Sequence, residues 1–209
     1  RETEHNERKI LELSKPESFS LYVGIPFCPS RCSYCSFVMA SIERAEKLIE
    51  PYTKLLCEEI KRTAEIANKL GLRLETVYFG GGTPTTLSAE QLDTVLGTVN
   101  NSFDMSTCRE FTVEAGRPDT IDIAKLFALK ENKVDRISIN PQTVNNEVLK
   151  TIGRKHTAQQ FFDAFELARK CGFDNINTDL IAGLPTDTTE SFKNSLDSIV
   201  RLNAECITV

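Results

Sequence analysis

The sequence predicts an α/β protein, a parallel sheet with helices outside it. Two observations carry that prediction. From Ser20 onward, short β-branched or aromatic runs alternate with longer amphipathic runs. The strand-like runs recur about 30–40 residues apart, the repeat of a βα unit and not of a solenoid. Each such unit needs a crossover, which is right-handed between parallel strands. A doubly wound open sheet and a barrel of βα units both satisfy the pattern, and both gather function at the carboxyl ends of the strands.

The predicted strands are Ser20–Ile25, Leu74–Phe79, Glu110–Glu114, Asp135–Ile139, Asn175–Leu180 and Cys206–Val209. Between them, helices are predicted over Ser41–Leu70, Ser88–Asn100, Ile121–Leu129, Asn145–Ile152 with Ala158–Lys170, and Thr189–Leu202. Pro51 should kink or restart the first helix. Beyond it Leu56, Ile60, Ala64 and Ala67 share one apolar face, and Gly71 stops the helix. Cys171-Gly172 supplies a second stop.

Arg1 to Pro16 is charged and lacks an apolar period. Residues 1–19 therefore read as a lead-in or the end of a preceding domain, and 20–209 as the core. The chain opens without Met and stops inside a strand-like run, so a piece of a longer protein, truncated at its C-terminal end, is expected.

Composition narrows the class. With 209 residues, 40% hydrophobic and 26% charged, the chain can build a globular core. A net charge of −5 argues against a nucleic-acid partner. No apolar run approaches the roughly 20 residues of a membrane span. Seven cysteines, an odd number, read as reduced thiols, and a cytoplasmic location is expected.

Three of those thiols form the central motif. Cys28, Cys32 and Cys35 stand at C-x3-C-x2-C spacing directly after the first apolar strand. Three soft ligands with no fourth nearby suit a four-iron cluster that leaves one iron open. A structural zinc site wants a fourth Cys or His close by, and neither Cys57 nor the histidines His5 and His156 are near in sequence. A zinc site or a chance grouping is the alternative.

Further candidates lie at the ends of later strands. The run Gly80-Gly81-Gly82-Thr83-Pro84 lets backbone approach a ligand closely, or is a plain turn. It is neither a P-loop nor a dinucleotide fingerprint. Glu114, Gln142 and Asp179 close successive strands, where they can accept hydrogen bonds from hydroxyls or an amine; capping roles are the alternative. Arg154 offers a fork for a carboxylate, or is a solvated cation. His156 reads as an exposed, incidental histidine, and Cys57, Cys108, Cys171 and Cys206 as small hydrophobes.

Together these motifs carry a family resemblance. Tyr22-Val-Gly-Ile-Pro-Phe-Cys28, Tyr78-Phe-Gly-Gly-Gly-Thr-Pro-Thr85, Gln142 with Arg154, and Asp179-Leu-Ile-Ala-Gly-Leu-Pro185 resemble the oxygen-independent coproporphyrinogen III oxidase (dehydrogenase) family of the radical S-adenosylmethionine (SAM) superfamily. Phe111–Asp119 and Ser138–Thr143 resemble its Gram-positive coproporphyrinogen dehydrogenase branch most. The resemblance implies a partial, roughly six-unit βα barrel. It assigns a 4Fe-4S cluster to Cys28, Cys32 and Cys35, and SAM to Gly81, Gly82, Thr83, Glu114, Gln142, Arg154 and Asp179, with Tyr22 and Tyr34 beside it.

The implied chemistry is radical. A reduced cluster cleaves SAM, and a 5′-deoxyadenosyl radical takes hydrogen from a porphyrinogen propionate, which loses carbon dioxide to become a vinyl group. An electron donor of flavodoxin or ferredoxin type is implied, and a haem-binding chaperone of the same family or another radical SAM substrate are the alternatives. Two departures stand out: Gly24, where well-characterised members carry His, and Thr143, where they carry Asp. They bear on a second SAM molecule and on substrate placement, not on the cluster. Because the family uses further segments for substrate selection, this piece is expected to bind cluster and SAM yet turn over poorly.

Overall fold

β-Branched and aromatic runs pair in the order in which they occur along the chain. The computed structural model describes residues 8–9, 11–37 and 40–209. The expected lead-in falls partly outside these, at 1–7 and 10, as does His5. Strands are numbered in chain order: β1 (Ser18–Ile25), β2 (Phe27–Cys28), β3 (Ala40–Ser41), β4 (Arg73–Gly81), β5 (Glu110–Glu114), β6 (Arg136–Ser138), β7 (Ile176–Asp179) and β8 (Cys206–Thr208). A six-stranded sheet has the order β1-β4-β5-β6-β7-β8, every pair parallel. A doubly wound sheet would reverse its strand order at a switch point. This sheet winds in one direction, as a partial βα barrel does.

Alternation decides which side each residue faces. Val23, Phe79, Val113, Ile137 and Ile176 share one register row and are buried. They join most of the helices in one core, and Val148, Leu149, Ile152 and Leu184 form a second, smaller cluster. The other face is polar and bonded to itself. Thr76 donates to Ser20, Thr112 to Glu110, Tyr78 to Glu114, and Thr208 and Ser138 flank Asn177. A sheet with a hydrogen-bonded polar face is built to line a cavity, not to stack on a second apolar layer.

The helices are α1 (Ile42–Lys69), α2 (Ala89–Ser102), α3 (Ile123–Glu131), α4 (Asn146–Thr151), α5 (Ala158–Lys170) and α6 (Thr189–Val200). Ser88 and Thr157 make capping boxes with Gln91 and Gln160, and Asp122 caps α3. α1 runs through Pro51, so the helix does not restart there. Pro51 and Lys47 are both exposed, so the carbonyl that proline leaves without a donor faces water. Short β2 and β3, which no sequence period announced, pair with each other and bracket the cysteine segment.

Candidate functional site

The cysteine segment is held by backbone contacts on two sides. Beyond Gly81 the ladder continues onto it, with Gly82 N–H donating to Ile25 O (2.7 Å) and Thr83 N–H to Phe27 O (2.8 Å). A Cβ on Gly82 would lie 2.6 Å from Phe27 O and 2.9 Å from Ile25 O, so this approach requires glycine. On the far side Ser33 N–H donates to Ile152 O (3.0 Å) and the Ser30 hydroxyl to Gly153 O (3.0 Å). The glycine run therefore seats the cysteines, a role beyond the ligand approach read from sequence.

One open cleft gathers the predicted residues. Cys28, Cys32, Tyr34, Cys35, Gly81, Gly82, Thr83, Glu114, Gln142, Arg154 and Asp179 all line it. Tyr22 does not. It stacks on Tyr78 at 5.9 Å between ring centroids and is largely exposed, in the register row before Gly80 and Glu114.

Thr83 Oγ1 lies 3.1 Å from Cys28 Sγ, and burial pushes the Cys28 thiol up from its ordinary range. Tyr78 donates to Glu114 at 2.6 Å. Burial raises the Glu114 carboxyl against that hydrogen bond, and the neighbouring Asp179 adds to the rise. Arg154 is buried, which removes the solvated-cation reading. It donates to Gly116 O (2.9 Å), to Asn140 O (3.3 Å) and to the Tyr34 hydroxyl (3.0 and 3.3 Å). Gln142 has φ of 67°, a left-handed conformation that is costly outside glycine. Its N–H and C=O tie Asp179 O and Ile181 N–H at 3.0 Å each, which holds its buried amide in the cleft.

Sequence reasoning missed Arg117. It follows Gly116 in a loop after β5, outside any strand-end position, and only the quoted run Phe111–Asp119 contained it. The side chain is 3% exposed and its Nη1 donates to Cys32 Sγ at 2.9 Å. Its Nη2 donates to Ser30 Oγ. Ser30, Phe37, Gly116 and Asn140 complete the lining. Thr143 faces elsewhere, toward Ser195 (3.2 Å), and a Cβ on Gly24 would meet the Tyr22 ring in ordinary contact at 3.6 Å.

His156 is the clearest correction. Its side chain is fully buried, 4.0 Å from Asp119, with neither ring nitrogen hydrogen-bonded. Burial and the charge of Arg154 lower its pKa from 6.5 to about 4. Because the folded value lies below the unfolded one, the unfolded chain binds the extra proton first, and stability falls as pH drops from 6.5 toward 4. Between pH 7 and 4.5 the wild type is expected to lose roughly 2 kcal/mol more than His156→Gln. Urea denaturation of both apo-proteins at each pH checks this, and equal losses would contradict it.

The donor set fits a cluster and a polar cofactor. Among the described residues no three His, Cys, Asp or Glu side chains converge on one ion position. A zinc ion draws its thiolates to about 2.3 Å of one centre, whereas a four-iron cluster takes each on a different iron. The Arg117 guanidinium has one ion pair among the described residues, to Asp119 at 3.6 Å, and its buried Nε has no hydrogen-bond partner. That partly offset positive charge at Cys32 suits an anionic, thiolate-ligated group. Buried Asn140 Oδ1 is likewise unpartnered and joins Glu114, Gln142 and Asp179 as an acceptor for amine or hydroxyl donors.

Known proteins are similar to this chain in sequence and in fold. Residues 22–199 match the radical SAM superfamily. The chain is 42% identical over 194 residues to the oxygen-independent coproporphyrinogen-III oxidase-like protein HemZ of Bacillus subtilis, covering 92% of this chain and 39% of that protein. It is 41% identical over 191 residues to the heme chaperone HemW of Lactococcus lactis, covering 91% and 47%. The structure of coproporphyrinogen III oxidase (HemN) from Escherichia coli superposes with a TM-score of 0.81 at 29% identity, over 96% of this chain and 47% of that one. The chain thus spans less than half the length of these relatives. With the three cysteines, the single-direction parallel sheet and the match over residues 22–199 agreeing, the chain belongs to the radical SAM superfamily.

Proposed function

We propose that the chain is the core of a radical SAM oxidoreductase that decarboxylates the propionates of coproporphyrinogen III to vinyl groups, yielding protoporphyrinogen IX. The observation that carries the reading is the convergence of Cys28, Cys32 and Cys35 with Glu114, Gln142, Arg154 and Asp179 in one cleft. When bound, a 4Fe-4S cluster and SAM supply one-electron reductive cleavage of a sulfonium and hence abstraction of an unactivated hydrogen. Each propionate would give up one hydrogen atom to the 5′-deoxyadenosyl radical, carbon dioxide, and one further electron to an external one-electron acceptor.

This chain's residues bind and orient. Cys28, Cys32 and Cys35 hold the cluster. Gly81 and Gly82 bring backbone close to the methionine amino group, and Thr83 faces Cys28 there. Glu114 and Asp179 accept from ribose hydroxyls, while Gln142 and Arg154 hold the remaining polar groups of SAM. Arg154 also fixes Tyr34 as a wall of the cleft, and Tyr22 stands on the polar face nearby. A flavodoxin- or ferredoxin-type donor supplies the electron. Free thiols, and the absence among the described residues of a helix long and apolar enough to cross a membrane, accord with a cytoplasmic setting.

A haem chaperone is the second reading, favoured by the 41% identity to such a protein. Haem needs an accessible axial ligand. The burial of His156 works against it as that ligand.

Anaerobic incubation of reconstituted protein with dithionite, SAM and coproporphyrinogen III separates the two. The oxidoreductase reading predicts that 5′-deoxyadenosine release rises when the porphyrinogen is added. Stoichiometric haem binding with release indifferent to porphyrinogen favours the chaperone.

A further inference from the structure

We infer that Arg117 is a positioning residue that sets the reduction potential of the cluster through Cys32. The inference rests on the cluster assignment above. Three observations support it. The guanidinium is almost wholly buried, its Nη1 lies 2.9 Å from Cys32 Sγ, and its Nη2 bonds the Ser30 hydroxyl two residues before that sulfur. Its one ion pair among the described residues runs from Nε to Asp119 Oδ1 at 3.6 Å, too long for a hydrogen bond, so the positive charge is only partly compensated within the protein.

A buried arginine whose carboxylate partner stands beyond hydrogen-bond distance is costly unless an anion completes the site. Here the fork points at a metal-ligand sulfur. A charge-assisted hydrogen bond to a ligating thiolate stabilises the more negatively charged, reduced state more than the oxidised one, and so raises the potential. Arginine retains its charge at every working pH, so the effect is a fixed setting and not a switch. Asp119 and the neutral His156 are the other titratable groups facing it, and Asp119 offsets the charge only partly from 3.6 Å. A merely structural Arg117 would hold the Ser30–Cys32 turn in place and leave the potential alone.

The test is an anaerobic redox titration, followed by electron paramagnetic resonance, of reconstituted wild type, Arg117→Gln and Arg117→Lys with matched iron and sulfide content. At the poise where the wild-type cluster is half reduced, Arg117→Gln is expected to lower the reduced-to-oxidised ratio at least tenfold, about 59 mV for a one-electron couple. Arg117→Lys keeps a charge without the planar fork and should fall between the two. Potentials equal to wild type in both variants overturn the inference. Should the Gln variant take up no iron, the Lys variant decides: a lowered potential supports the inference and an unchanged one overturns it. Adding SAM to each sample separates this outcome from the functional reading. A SAM-sensitive cluster with unmoved potentials removes only the role of Arg117. A cluster whose signal ignores SAM removes the functional reading and leaves the potential comparison standing.

Discussion

Cys32→Ala is expected to abolish cluster assembly and also to destabilise the apo-protein, whereas Cys35→Ala is expected to abolish assembly alone. Loss of either thiol leaves two ligands where three are needed to hold a four-iron cluster with one iron open. The apo-proteins differ because of what each sulfur touches. Cys32 is buried and accepts from Arg117 Nη1, so its removal strands a donor of a charged group where water does not reach. An unmet buried donor costs about 1–3 kcal/mol. Cys35 is half-buried, and the hydrogen bond that anchors it runs from its backbone N–H to Cys32 O (3.1 Å), which alanine preserves. Iron and sulfide analysis after reconstitution, with urea denaturation of both apo-variants, checks the pair. Equal stabilities would show that the Arg117 contact contributes nothing before the cluster is bound.

Gly82→Ala is expected to disrupt the fold and the cluster site together. Its new methyl would meet two backbone oxygens, of Phe27 and Ile25, at 2.6 and 2.9 Å, and neither can rotate away. Relief requires β4 to part from the cysteine segment, which breaks the Gly82 N–H to Ile25 O bond and shifts Cys28 from Thr83. Overpacking of this kind costs about 1–3 kcal/mol, and the lost hydrogen bond adds about 1. The control is Gly71→Ala, where φ is +67° and nothing lies within 4 Å of the added methyl. It should cost only the conformational penalty, about 1 kcal/mol, and leave cluster loading intact. Denaturation midpoints and iron content of the two variants check the contrast, and similar losses in both would contradict it.

Periodic segments announced themselves in the sequence, and contacts between distant loops did not. Glu110–Glu114 is a strand over the predicted span because Phe111 and Val113 alternate with polar neighbours. Strand β4 runs on to Gly81, past the predicted Phe79, because the glycines keep the ladder to β1 that a strand propensity would end. β2 and β3 are two-residue pairings too short to carry a period. In the site, residues at strand ends were legible because a parallel sheet places them together at one edge. Arg117 reaches Cys32 from a loop 85 positions away, and no local pattern marks such a contact. His156 sits in a basic run that reads as surface, yet the turn after α4 folds it inward toward Asp119.

The central claim is that three cysteines hold a four-iron cluster whose open iron binds SAM. Electron paramagnetic resonance of the anaerobically reconstituted, dithionite-reduced protein, recorded with and without SAM, tests it most directly. The account predicts a four-iron signal that changes when SAM is added. A protein that holds zinc without acid-labile sulfide, or a cluster signal that SAM leaves unaltered, would contradict it.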